Sequence, residues 1–146
     1  MLKALSTPRN RTITYILLAV CCVFGGSAGV VGISDNLPGI ILTFGAAVVL
    51  VLTFVHPWRT AKQFRRLLYA SLIGFVVFTI LHNVFEALSG KLAGGAFQSA
   101  LQGIDVASFL IAILICPPAL AIGIIGTIVM SIRDSRRSTP GSNTVA

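Results

Sequence analysis

Hydrophobic residues along this chain gather into four long runs separated by short polar or basic breaks. The apolar runs cover residues 13–33, 37–55, 67–88 and 104–132. Residues 13–33 number 21 and carry no charge. A helix of that length rises ~30 Å at ~1.5 Å per residue, the thickness of a bilayer's hydrocarbon core. The pattern predicts an all-α integral membrane protein: a bundle of four transmembrane helices running up and down, with residues 133–146 as a polar, disordered cytoplasmic tail.

The breaks carry helix punctuation. Thr7-Pro8 reads as an N-cap and first helical position, and residues 8–33 as the first helix. Residues 34–37 form a tight turn that makes helices one and two antiparallel neighbours. Asp35 or Asn36 caps the second helix, and Pro38 falls in its first turn. Pro57 stops that helix. Thr60 and Gln63 have capping-box spacing, which starts the third helix near Ala61. Gly90, Gly94 and Gly95 break the chain again, and residues 96–102 read as a short interfacial helix. Pro117 and Pro118 fall inside the fourth run and predict a kink, because each removes a backbone donor and crowds the preceding turn.

Small residues mark expected helix contacts. Gly25 and Gly29 form a G-x-x-x-G in the first run, and Gly123 lies between Ala119 and Thr127 in the fourth. Such stripes let helix backbones approach closely in lipid. The expectation is that the glycine face of helix one packs inside the bundle against the Gly123 stripe, with a homodimer as the alternative.

Composition strengthens the membrane reading. The chain is 55% hydrophobic and 10% charged, and its mean hydropathy is +0.94. A soluble domain is ~25% charged. The net charge of +7 comes from residues that flank apolar runs, so it reports topology and not nucleic-acid binding. Lys3, Arg9 and Arg11 precede run one; Arg59, Lys62, Arg65 and Arg66 lie between runs two and three; Arg133, Arg136 and Arg137 follow run four. With Lys91 alone opposite, ten of the 11 basic residues fall on one side. The positive-inside rule then places both termini in the cytoplasm of a prokaryotic plasma membrane. The run after Arg11 reads as a retained span and not a cleaved signal peptide, because it continues far past any cleavage site. Trp58, Arg59, Lys62, Arg65 and Arg66 are the expected lipid-headgroup contacts.

Candidate chemistry is sparse. His82 and Glu86 share a face of the third helix at i, i+4, with Asn83 beside them. Asp35 and Asp105 fall at similar depth, and four antiparallel helices can gather all five into one outward-facing polar pocket. Ionisable residues at membrane depth face a cavity or one another. The cluster therefore reads either as a network tying helix three to its neighbours or as a proton or cation site on Glu86. One histidine with loosely spaced carboxylates does not make a metal set, and none is expected. His56 lies at the opposite end from His82, which argues against a bis-histidine haem. Cys21, Cys22 and Cys116 lie within apolar runs without a C-x-x-C and read as small apolar side chains.

No nucleophile and base are paired, and no cofactor is expected. The leading expectation is therefore a non-enzymatic accessory or structural membrane subunit, meeting membrane lipids and either copies of itself or a larger complex. The alternative is a small proton- or cation-linked transporter built on Glu86 and His82. Small multidrug transporters also have four spans, but their essential carboxylate lies in the first, where this chain has none.

Overall fold

The computed structural model describes residues 7–33, 36–91 and 94–137, for residue 137 in its backbone only. All regular structure among them is helical. The elements are α1 (Pro8–Val31), α2 (Leu37–Val55), α3 (Ala61–Ser89), α4 (Ala96–Leu110), a π-helical turn (Ile111–Ile115) and α5 (Cys116–Arg137). The last three run on without a break. Four helical stretches are long and apolar enough to cross a membrane: α1, α2, α3 and the 41 residues Ala96–Arg136.

Their lengths differ in an informative way. The 19 residues of α2 span ~28 Å and match a hydrocarbon core with nothing to spare. The 29 residues of α3 reach ~43 Å, and its extra turns are those that carry Lys62, Arg65 and Arg66. The fourth stretch reaches ~60 Å, with Gln98 and Gln102 near one end and Arg133 and Arg136 near the other.

Side chains set the boundaries. Gln63 accepts bonds at its Oε1 from the Arg59 N–H (3.1 Å) and from the Thr60 N–H (3.3 Å) and hydroxyl (3.0 Å). That is the capping box expected at the start of α3. Thr7 and Asn36 behave differently: neither makes a side-chain cap. The Thr7 carbonyl serves α1 instead, accepting from the N–H groups of Asn10 and Arg11. Asn36 stands at the N-cap position of α2, where its carbonyl accepts from the Ile40 N–H, but its side-chain amide donates back to the Val31 carbonyl at the end of α1, at 3.0 Å. Gly39 is glycine for a steric reason, since a Cβ there would run into the Gly32 carbonyl across this turn. Asp35 lies outside the described residues.

One expectation is corrected. Residues 96–102 are not a separate interfacial helix but the first turns of α4. Gly103 is crossed in helical conformation, because a single glycine costs only ~1 kcal/mol and forbids nothing. The double proline is met by a change of helix type: the Cys116 N–H bonds to the Ile111 carbonyl, five residues back. A π turn of this kind widens the helix one turn ahead of two residues that bring no N–H and crowd what precedes them.

Packing follows an open order. Among the described residues α1 contacts α2 and no other helix; α2 also contacts α5 and the π turn; α3 lies along the whole fourth stretch. The core sits at the basic end, where Val51 and Val55 of α2, Phe64 of α3 and Ala119 of α5 are buried together. Leu52, Trp58, Leu67, Ile115, Ile122 and Met130 pack around them. Elsewhere many large apolar side chains point outward, Val30 at 89% exposure, Leu37 at 68% and Ile73 at 63% among them. Outward aliphatic surface of this extent suits lipid and not water.

The small-residue stripes are also corrected. Ala119, Gly123 and Gly126 serve the α3–α5 contact, not the glycine face of α1. A Cβ on Gly123 would come within 3.0 Å of the Leu68 backbone nitrogen, and one on Gly126 would enter the Phe64 ring. α1 uses another strip against α2. There Ala28 is 2% exposed, the Phe24 ring covers Gly45, and the Cys21 thiol points at the Ala46 carbonyl at 3.4 Å. Gly25 and Gly29 have nothing within 4 Å of where a side chain would begin.

Candidate functional site

The polar side chains of α3 and α4 meet where the two helices lie side by side. His82 is placed by α3 and Asp105 by α4, and His82 Nδ1 lies 2.6 Å from Asp105 Oδ1. With its hydrogen on Nδ1, the imidazole donates to this carboxylate oxygen. That leaves Nε2 toward Glu86, whose Oε2 is 4.0 Å away on the next turn of α3. The Phe109 ring, one turn beyond Asp105, stands against the imidazole with centroids 5.0 Å apart and holds it in place. The pair is largely covered, with side chains 26% and 16% exposed for His82 and Asp105. Glu86 is 67% exposed and faces outward.

Chemically this is a carboxylate–imidazole–carboxylate string. Asp105 fixes the ring's tautomer and orientation, His82 bridges the helices, and Glu86 forms the open end. The string can hold a proton or stabilise a cation at its exposed carboxylate. It also ties α3 to α4 by a charge-assisted bond. Among the described residues, no three His, Cys, Asp or Glu side chains are grouped so that they could hold a metal ion.

The other residues expected in this cluster go elsewhere. The Asn83 amide donates to the Thr79 carbonyl of its own helix at 2.7 Å and does not join the string. Asp35 is outside the described residues. Its neighbour Asn36 is committed to Val31, and α2 makes no contact with α4. The single pocket shared by all four helices is therefore not formed by the described residues; the polar side chains that meet are those of α3 and α4. Gln98 adds one more link there, donating to the Ser89 carbonyl at 3.2 Å.

At the basic end, Trp58 is half-buried and meets Phe64 edge-on, with centroids 5.5 Å apart. It serves the core as well as the surface. Arg59, Lys62, Arg65 and Arg66 are all exposed. Nearby, His56 donates from Nδ1 to the Thr53 carbonyl at 3.0 Å, while its Nε2 is buried with no hydrogen-bond partner among the described residues. Sequence reading placed His56 only as a helix-end residue; no pattern signals that its ring turns inward. The cysteines are free: Cys21 faces α2, Cys22 is exposed, and Cys116 is buried near Gly74 of α3.

Comparison of the chain with protein families, with characterised proteins and with solved structures finds no match. The reading of function therefore rests on the chain's own chemistry.

Proposed function

We propose that this chain is a small accessory or structural subunit of the membrane, acting through contacts with lipid and with other helices and not through catalysis. One observation carries the reading: among the described residues α1 is held by α2 alone, and its Gly25–Gly29 strip faces open space. A span bound on one side only, with a surface that admits a helix backbone at close range, is suited to a partner helix in a larger complex. The outward aliphatic surfaces support insertion in a bilayer. The distribution of basic residues supports both termini on the cytoplasmic side, with Lys91 opposite. In that frame the π turn and Pro117-Pro118 kink the fourth span. The experiment is replacement of Gly25 and Gly29 by leucine in the full chain. Loss of the native assembly, with the fold intact, supports the reading, and unchanged assembly removes it.

A second reading is favoured by Glu86, exposed and 4.0 Å from a histidine that Asp105 orients. It makes the chain a small proton- or cation-linked transporter. Reconstituted vesicles test it, since Glu86→Gln must abolish proton-coupled flux if the carboxylate carries it.

A further inference from the structure

The last turns of α5 carry Val129, Ile132, Arg133 and Arg136, spaced so that they fall on one side of the helix. They line a recess of about 320 Å³. Its floor is aliphatic, with Val129 and Ile132 each 51% exposed, and its rim is two exposed guanidinium groups. At ~100° per residue the one acidic residue of this stretch, Asp134, falls on the far side of the helix.

We propose that this recess binds one anionic phospholipid. Val129 and Ile132 receive the first methylenes of an acyl chain, and Arg133 and Arg136 receive the phosphate. The inference rests on the membrane reading above and adds a ligand class and a place to it.

Three considerations point to a lipid. First, the order of residues along the helix is the order of a lipid: aliphatic side chains toward the apolar body of α5, arginines toward its polar end. Arginine stems lie along apolar surface while their heads reach polar surroundings, and the guanidinium fork matches phosphate oxygens two at a time. Second, the field at this end is positive. Phe64 lies against Gly126, and Trp58 and Met130 pack on the same cluster, so the basic start of α3 lies within about two to three helical turns of Arg133 and Arg136. Arg59, Lys62, Arg65 and Arg66 are exposed there. Third, about 320 Å³ lies at the small end of ligand sites, enough for a headgroup and a few methylenes. Cations at a helix C-terminus also offset its dipole, which accounts for the arginines but not for the aliphatic recess beneath them.

The test is native mass spectrometry of the purified full chain titrated with phosphatidylglycerol and with phosphatidylcholine of the same acyl chains. The expected result is about thirtyfold preferential retention of phosphatidylglycerol, the effect of two basic residues at a membrane surface. Arg133→Gln with Arg136→Gln should remove the preference. Arg65→Gln with Arg66→Gln should leave most of it. Val129→Trp, which fills the recess, should lower retention of both lipids. Equal retention of the two lipids overturns the proposal, as does a preference that survives loss of Arg133 and Arg136. Displacement of phosphatidylglycerol by millimolar glycerol phosphate overturns it too, because it marks a phosphate site indifferent to acyl chains. The subunit reading fails separately, through absence of partner polypeptides from the complex extracted from the native membrane.

Discussion

His82 and Asp105, 23 positions apart in the chain, meet at 2.6 Å across the boundary between α3 and α4. In a soluble protein such a pair competes with water. Between helices in lipid the competing state is an unsatisfied polar group, yet polar contacts there average ~0.6 kcal/mol with a maximum near 1.7. Because this pair is charge-assisted and largely covered, a double-mutant cycle of His82→Ala and Asp105→Ala should give a coupling of about 1–1.7 kcal/mol in unfolding from detergent micelles. A coupling indistinguishable from zero would mean that the pair does not hold the helices together.

Gly123 and Gly25 look alike in sequence and should respond oppositely. Gly123→Leu pushes a side chain into the Leu68 backbone, which cannot withdraw without separating α3 from α5. The expected cost is about 1–3 kcal/mol or more, read as a lower unfolding midpoint. A Cβ at Gly25 or Gly29 has no neighbour within 4 Å among the described residues, so Gly25→Leu and Gly29→Leu should leave the isolated protein unfolding within about 0.5 kcal/mol of the parent. Their effect should appear only in association. Parallel thermal unfolding and cross-linking of the three variants separates the two behaviours.

Pro117→Ala with Pro118→Ala restores two backbone donors just after the π turn. The turn should then tighten to α geometry, which rotates α4 relative to α5 by about one residue's step of ~100°. Spin labels at Gly103 and Val129 should report a changed separation by pulsed electron resonance. An unchanged distance would show that tertiary packing, and not the prolines, maintains the π turn.

The charge distribution makes a topological prediction. In a background with Cys21, Cys22 and Cys116 replaced, Lys91→Cys should react with a membrane-impermeant maleimide added outside intact cells. Lys62→Cys should react only after the membrane is opened. Reversed labelling would invert the orientation, and equal labelling of both would indicate dual insertion.

Much of this architecture is legible in the sequence because its signals are local. Length and hydropathy mark four membrane-length helices. Thr60 and Gln63 mark the start of α3, and Pro57 marks the end of α2 to within a residue or two. The His82–Asp105 contact was approachable because few polar residues exist and those at equal depth have few alternatives. What escaped depends on relations that local pattern does not encode. Glycines at 90, 94, 95 and 103 look equivalent, yet Gly94 and Gly95 take positive φ while Gly103 sits inside a helix. Small-residue stripes on α1 and α5 share one spacing, so nothing in the sequence says that one meets α3 and the other meets open space. Asn36 stands at the N-cap of α2 as its residue type suggests, yet local pattern does not say that its amide turns back to the end of α1.

The central claim is that this chain works as a subunit whose first span is completed by a partner. Native mass spectrometry of the protein gently extracted from its own membrane tests that most directly. The account predicts a mass corresponding to a complex with other polypeptides, which dissociates when Gly25 and Gly29 are replaced by leucine. A bare monomer, or a homo-oligomer carrying no other polypeptide, would contradict it and turn attention to Glu86 and His82 as a transport site.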